Sequence, residues 1–151
     1  MRRAKENKKE VVIVSACLTG IKSRYDGTHA LDRRVLSRLK GKAVVPVCPE
    51  QLGGLPTPRP RAWIKRRDGL TVLKGMSKVE DERGADVTRC FLKGAREALK
   101  IARLVNAKEA YLKEKSPSCG KGFICRGQKK VKGSGVLAAL FKRKGIRVEG
   151  F

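Results

Sequence analysis

Short apolar runs alternate with amphipathic segments along most of this chain. The runs predict strands at Val11–Ser15, Ala43–Val47, 109–113 and 146–148. Apolar residues at helical spacing predict helices at 32–39, from 86–88 onward, and at 136–145 after Gly133-Ser134-Gly135. The longest predicted helix has one apolar stripe, formed by Val87, Phe91, Ala95, Leu99 and Ala102. Because strands and helices alternate, we expect an α/β fold with a mainly parallel, Rossmann-like sheet flanked by helices.

The remaining segments are interpreted as loops, edge strands and a terminal extension. The stretch PEQLGGLPTPRP after the second strand predicts a loop that its prolines stiffen. Weak alternation over 62–74 predicts a hairpin or edge strands around Asp68-Gly69. Residues 1–10 are expected to form a charged, flexible N-terminus, and 11–151 a single compact domain, since 151 residues suffice for one core.

Composition favours a cytoplasmic location for this domain. No apolar run is long enough to cross a bilayer, and the apolar part of 11–16 is shorter than the core of an export signal. The five cysteines are an odd number, which argues against a disulfide framework. Reduced thiols are therefore expected, and metal binding or catalysis is their natural use.

The charge is strongly unbalanced. Lys and Arg number 37 against 14 Asp and Glu, a formal net charge of +23. A heat-adapted surface would carry more balanced signs, so a polyanion such as RNA is the expected partner. The basic runs near 59–67, 121–132 and 142–147 are the candidate phosphate contacts, and the alternative is that they are solvated surface.

Three cysteines each follow a predicted strand. They are Cys17 in VVIVSACLTG, Cys48 in AVVPVCPE and Cys119 in KSPSCG. Because the carboxyl ends of parallel strands meet at one crevice, the three thiols are expected to converge there. Thiolates suit zinc and iron–sulfur clusters, and three ligands leave one metal position open. The alternative is that the three are buried, inert core residues.

Two polar residues beside these cysteines are candidates for catalysis. Glu50 lies two residues after Cys48 and is placed to transfer a proton, unless it is an ordinary loop carboxylate. Ser116 precedes Cys119 and is placed to bind substrate or water, unless it is a turn residue before Pro117. Together they predict a site with chemistry of its own.

Other features left alternatives open. Cys48-Pro49-Glu50 is compatible with a zinc nucleobase deaminase, but the P-C-x-x-C half of that motif is missing after Pro117. Cys90 is expected to pack within the long helix, Cys125 is a spare ligand candidate that we do not favour, and His29 could complete a zinc site or be solvated. The turn Gly133-Ser134-Gly135 could present N–H groups to an anion or simply start a helix.

Six stretches of the chain resemble one known family. They are VSACLTG, RYDG, VCPEQLGGLPTPRP, GADVTRCFLKGA, LKEKSPSCG and GSGVLAALFKRKGI. These motifs are similar to the domain-of-unknown-function family 523, whose characterised members are thiouracil desulfurases. They extend over nearly the whole chain after residue 10.

The resemblance implies a cofactor, a reaction and roles for residues. It implies a [4Fe-4S] cluster held by Cys17, Cys48 and Cys119, with one iron free to bind the substrate's sulfur. It implies Glu50 and Ser116 as catalytic residues in the non-redox desulfuration of a thiolated pyrimidine, by a sulfur-removing hydrolase or lyase. Such a cluster is expected to be lost in air.

The chain departs from the family at two places. Thr19 stands where the family usually has a second Leu, and Ile124-Cys125-Arg126-Gly127 replaces a stretch of the type I-Y-D-G. The second change exchanges an acid for a base near the predicted crevice, and such a basic rim could suit a thiolated nucleotide or RNA better than a free base. The competing hypothesis is a non-enzymatic, basic RNA-binding protein with a structural zinc site.

Overall fold

A computed structural model describes residues 7–151. The strands are β1 (Val11–Ser15), β2 (Ala43–Val47), β3 (Ala62–Ile64), β4 (Val79–Asp81), β5 (Glu109–Leu112), β6 (Phe123–Arg126), β7 (Lys129–Lys132) and β8 (Arg147–Gly150). The helices are α1 (Arg33–Leu39), α2 (Pro49–Leu52), α3 (Gly69–Leu73), α4 (Thr88–Leu104) and α5 (Val136–Arg143), and a 3₁₀ turn spans Ala16–Thr19. Within the predicted N-terminal extension, residues 1–6 lie outside the described part, and 7–10 have no regular secondary structure.

The central sheet is parallel and has the strand order β2-β1-β5-β8. The predicted α/β fold with a mainly parallel sheet is therefore confirmed. The chain adds β2 on one side of β1 and β5 on the other, so the connections diverge at β1. In open α/β sheets a crevice for ligands forms outside the carboxyl ends of the strands at such a point.

Side chains of β1 alternate between two hydrophobic cores. Ile13 faces a large core that α4 and α5 cover, whereas Val12 and Val14 pack with residues of α1. The predicted stripe of α4 is buried at Phe91, Ala95, Leu99 and Ala102, and Val87 is half-buried beside it. This packing on both faces explains why the strands are apolar runs.

The interpretation of 62–74 as a hairpin is wrong in its second half. β3 pairs antiparallel with β4, but Gly69–Leu73 between them forms α3. The Asp68 side chain accepts a hydrogen bond from the Thr71 N–H and so caps this helix. An N-capping Asp followed by a buried Val72 favours a helix over continued strand pairing.

The segment predicted as a stiff loop after β2 begins with a helical turn. Pro49 occupies the first turn of α2, where its fixed φ suits a helix and its missing N–H costs nothing. α2 lies unusually close to α4, since a Cβ on Gly94 would lie 1.7 Å from the Pro49 carbonyl oxygen. The glycine inside the predicted helix is thus a site of close approach, and it holds α2 against α4.

The last difference concerns the basic segment 121–132. It forms an antiparallel hairpin of β6 and β7, which the sequence analysis did not predict. No helix within residues 7–151 is both long and apolar enough to cross a membrane.

Candidate functional site

A cavity of about 470 Å³ opens at the carboxyl ends of β1, β2 and β5. All five predicted site residues line it: Cys17, Cys48, Cys119, Glu50 and Ser116. Each reaches the cavity from a segment that directly follows one of these strands, as the sequence analysis expected. Their roles as ligands and catalysts remain predictions.

Two of the thiols sit at the start of short helical turns. Cys17 lies in the 3₁₀ turn after β1, and its carbonyl accepts the Ala30 N–H at 2.9 Å. In the same turn Thr19 donates its hydroxyl to the Ala16 carbonyl at 2.8 Å. Cys48 is the N-terminal cap residue of α2, and its Sγ lies 3.6 Å from the Ser23 carbonyl oxygen, to which it donates. Local hydrogen bonds therefore fix both segments.

The third thiol lies in a loop that side chains of the loop itself organise. The Ser116 hydroxyl accepts the N–H groups of Ser118 at 3.2 Å and Cys119 at 3.1 Å. The Glu114 carboxylate accepts those of Lys121 at 2.6 Å and Gly122 at 3.1 Å. Ser116 is thus a turn residue, the alternative role considered for it, and it also lines the cavity.

The amino end of α5 holds this loop through backbone hydrogen bonds. The N–H groups of Val136 and Leu137 donate to the carbonyls of Pro117 at 2.9 Å and Ser118 at 2.8 Å. A Cβ on Gly135 would lie 2.4 Å from the Ser118 carbonyl carbon, so only glycine permits this approach. The N–H groups of Gly133 and Gly135 donate to the carbonyls of Gly122 at 3.0 Å and Gly120 at 2.7 Å. Because the protein's own carbonyls occupy these donors, the structure favours the helix-start alternative for Gly133-Ser134-Gly135 over an anion site.

Burial favours the protonated form of all three thiols. It raises the pKa of Cys17, Cys48 and Cys119 above the ordinary value, most strongly for Cys119, whose side chain is buried. Among residues 7–151 no three side chains of His, Cys, Asp or Glu lie close enough together to hold a single metal ion. The thiols surround the cavity and do not converge on one point.

Glu50 is held from both sides. Arg59 Nε donates to one carboxylate oxygen at 2.7 Å, and the Ser118 hydroxyl donates to the other at 3.0 Å. The side chains of Glu50 and Arg59 are only 14% and 4% exposed. Ser118 belongs to the Cys119 loop, so the carboxylate links the segment after β2 to the segment after β5.

The outer wall of the cavity is cationic and partly aromatic. Arg24, Arg61, Lys113 and Lys115 line it together with Tyr25. The guanidinium groups of Arg24 and Arg61 lie 5.6 and 5.3 Å from the centroid of the Tyr25 ring. This wall combines the positive charge that attracts anions with a flat ring that can contact another ring.

The two remaining cysteines and the histidine differ in their position relative to the cavity. Cys125 on β6 lines the cavity, with its N–H bound to the Lys115 carbonyl at 3.0 Å. Cys90 lies on α4, is half-buried and is absent from the cavity wall. His29 is exposed, and its Nδ1 accepts the Leu31 N–H at 3.1 Å.

Two expectations about basic residues need correction. Arg126, expected near the crevice, instead donates to the Ile64 carbonyl at 2.8 Å and joins β6 to β3, away from the cavity wall. Arg59, counted within a basic run, is buried and paired and is not a surface phosphate contact. Lys129, Lys130 and Lys132 on β7 are exposed, as a phosphate-contact surface requires.

Arg59 and Ser118 are the functional candidates that sequence reasoning missed. Arg59 was grouped with the basic residues that follow it. Its place between Pro58 and Pro60, in a stiff loop after Glu50, was the signal that could have distinguished it. Ser118 is adjacent to Cys119, but its hydrogen-bond partner Glu50 is distant in sequence, so no local pattern indicated the pair.

Comparisons with known proteins agree with this geometry. The sequence model of the 2-thiouracil desulfurase family matches residues 12–150. The uncharacterised protein YbbK of Bacillus subtilis (strain 168) is 45% identical over 141 residues, which are 91% of this chain and 93% of YbbK. The solved structure of the [4Fe-4S]-dependent thiouracil desulfidase TudS is 40% identical, and the match covers 94% of this chain and 91% of that one with a TM-score of 0.80. The family expected from the sequence motifs is thereby confirmed, and this chain belongs to the 2-thiouracil desulfurase family.

Proposed function

We propose that this protein removes the sulfur of a thiolated pyrimidine with the help of a [4Fe-4S] cluster held by Cys17, Cys48 and Cys119. The observation that carries the proposal is the convergence of three thiols from the ends of β1, β2 and β5 on one cavity, beside a fixed carboxylate. The net reaction exchanges C=S for C=O: water enters, hydrogen sulfide leaves, and no electrons are transferred.

The donor set suits such a cluster. Each of its three protein-bound irons takes one thiolate, so the ligands surround the cluster and need not meet at one atom. Three thiols around a cavity of about 470 Å³, Cys119 buried and Cys17 and Cys48 half-buried, satisfy that requirement. Cys17, Cys48 and Cys119 would hold such a cluster, and when bound it would supply an iron without a protein ligand as a Lewis acid for the sulfur of a C=S bond.

Glu50 is the proposed general base. Its carboxylate lies on the cavity wall, where it takes a proton from the water that attacks the ring carbon and returns it to the departing sulfur. Arg59 and Ser118 hold its two oxygens, so its orientation is set before the substrate arrives. Ser116 keeps the Cys119 loop in shape, and its hydroxyl hydrogen is free to donate to the substrate.

The cationic outer wall supports a substrate that carries a phosphate. Tyr25 would contact the pyrimidine ring, and Arg24 and Arg61 would pair with the phosphate of a thiolated nucleotide. We therefore expect a thiolated nucleoside monophosphate to have a higher kcat/KM than 2-thiouracil, and this preference to weaken as salt increases. If the nucleotide and 2-thiouracil have equal kcat/KM at both low and high salt, the phosphate contributes nothing and the free base is the substrate.

The first experiment is iron and sulfide analysis after anaerobic purification. We expect about four irons and four sulfides per chain in the wild type, a loss of both in Cys119→Ala, and no loss in Cys90→Ala. Glu50→Gln is expected to keep the cluster and lose desulfuration of 2-thiouracil. Full activity in Glu50→Gln would remove Glu50 from the mechanism.

The same experiment distinguishes the desulfurase from the two alternative functions. Colourless protein with one zinc per chain would favour the basic RNA-binding protein with a structural metal site. The exposed lysines of β7 are the observation that keeps this second candidate in view. A zinc protein that instead released ammonia from a pyrimidine would favour the deaminase-like hydrolase.

A further inference from the structure

Arg59 connects three segments around the cavity through its guanidinium. Its Nε donates to Glu50 at 2.7 Å, its Nη2 to the Ser23 carbonyl at 2.9 Å, and its Nη1 to the Thr57 hydroxyl at 2.9 Å. The same Nη2 lies 3.8 Å from the Cys48 Sγ, within the range of a hydrogen bond to sulfur. One side chain therefore touches both the proposed base and a proposed cluster ligand.

Arg59 lines the cavity, but its guanidinium is directed at neighbouring protein groups. Only 4% of its side chain is exposed, so its charge is directed at neighbours inside the protein. A buried guanidinium has a high desolvation cost and is retained only with several partners. The planar group makes these contacts simultaneously, which a lysine ammonium on its flexible stem cannot do.

We infer that Arg59 is a positioning residue with two separable effects on the reaction. Its Nε–H fixes the Glu50 carboxylate, and its Nη2–H withdraws electron density from the Cys48 sulfur and so tunes the bound cluster. Hydrogen bonds to ligand sulfurs stabilise the reduced, more negative cluster, which raises its reduction potential. The same withdrawal keeps the irons electron-poor, as activation of a C=S bond requires. This inference rests on the proposed function, because it assumes that the cluster binds.

Three variants separate the two effects in the cluster-loaded protein. Arg59→Met removes the charge and every hydrogen bond, whereas Arg59→Lys keeps a charge but cannot span Glu50 and Cys48. Arg126→Met is the matched control, because the Arg126 guanidinium also donates to protein carbonyls, those of Ile64 and Arg67, but does not line the cavity. Iron content is measured first, then the midpoint potential by spectroscopic titration, then kcat and KM for 2-thiouracil.

We expect Arg59→Met to bind iron, to have a more negative midpoint potential and to lose about 10- to 100-fold in kcat with little change in KM. Arg59→Lys should lose a similar factor in kcat and shift the potential less, and Arg126→Met should keep the wild-type potential and kcat. A wild-type potential and kcat in Arg59→Met would overturn the inference. If that variant fails to hold iron, the same unchanged values in Arg59→Lys would overturn it. An iron-free wild type would instead refute the proposed function itself.

Discussion

The close contact between α2 and α4 predicts that Gly94→Ala damages a site that the residue does not touch. A Cβ at this position would lie 1.7 Å from the Pro49 carbonyl oxygen, whereas Cβ contacts under 3.0 Å are essentially never found. The Pro49 carbonyl must therefore retreat by at least about 1.3 Å, the difference between these two distances. Glu50 follows Pro49 directly and moves with it.

Two opposing effects set the size of the stability change. Alanine is favoured over glycine by about 1 kcal/mol in a helix interior, and overpacking costs about 1–3 kcal/mol. Because the obstacle is a backbone carbonyl and not the end of a flexible side chain, the cost is expected at the upper end. A net loss of about 1–2 kcal/mol lowers Tm by about 2–8 °C in a domain of this size.

The effect on activity should exceed the effect on stability. Glu50 is held by hydrogen bonds of 2.7 and 3.0 Å, which a displacement of that size breaks. A misplacement of about 1 Å can cost about 100-fold in rate. The assays are thermal unfolding and the loss of 2-thiouracil absorbance with time, with Arg96→Ala on the exposed side of α4 as control. A raised Tm with wild-type kcat/KM in Gly94→Ala would show that helix propensity outweighs the close approach.

Three further predictions concern residues near and far from the cavity. Ser118→Ala removes one donor to Glu50, so kcat should fall by about tenfold at unchanged iron content, and an unchanged kcat would make that hydrogen bond irrelevant to turnover. Cys125→Ser should keep its iron, since three other thiols suffice, whereas iron loss would make Cys125 a ligand. Burial favours the protonated form of Glu109, but the neighbouring Tyr111 hydroxyl and the hydrogen bonds from Arg147 and Lys42 outweigh it and lower the pKa to about 2. Because this pKa is depressed in the folded state, the stabilisation is complete above about pH 4.5 and is lost as pH falls toward 2. Glu109→Gln should therefore lower the free energy of unfolding at pH 7 by roughly 2–4 kcal/mol, with a difference that shrinks below pH 4.5 in urea titrations.

The sequence was informative wherever function depended on local pattern. Cys17, Cys48 and Cys119 follow apolar strands, and parallel strands bring their carboxyl ends together, so their shared cavity could be predicted. Glu50 was found because it lies two residues from Cys48. The strands and long helices were predictable for the same reason, since their periodicity is a local property.

The misses share a physical cause, which is that they depend on contacts between distant segments. The pairing of Arg59 with Glu50 requires the stiff loop to fold back, and nothing in a run of basic residues distinguishes a buried guanidinium from exposed ones. The role of Gly94 could not be predicted, because it depends on the Pro49 carbonyl of a distant segment. The turn Gly133-Ser134-Gly135 was compatible with an anion site because the acceptors of its N–H groups, the Gly120 and Gly122 carbonyls, lie in a different loop.

The hold of α5 on the Cys119 loop has a consequence for how the protein matures. During synthesis all three cysteines emerge before residues 135–138, yet the loop carbonyls have no partners until those N–H groups arrive. Since chains emerge from the ribosome amino end first, the nascent protein exposes three thiols whose geometry is not yet set. We therefore expect iron and sulfide to be loaded only after the amino end of α5 has folded against the Cys119 loop and ordered it.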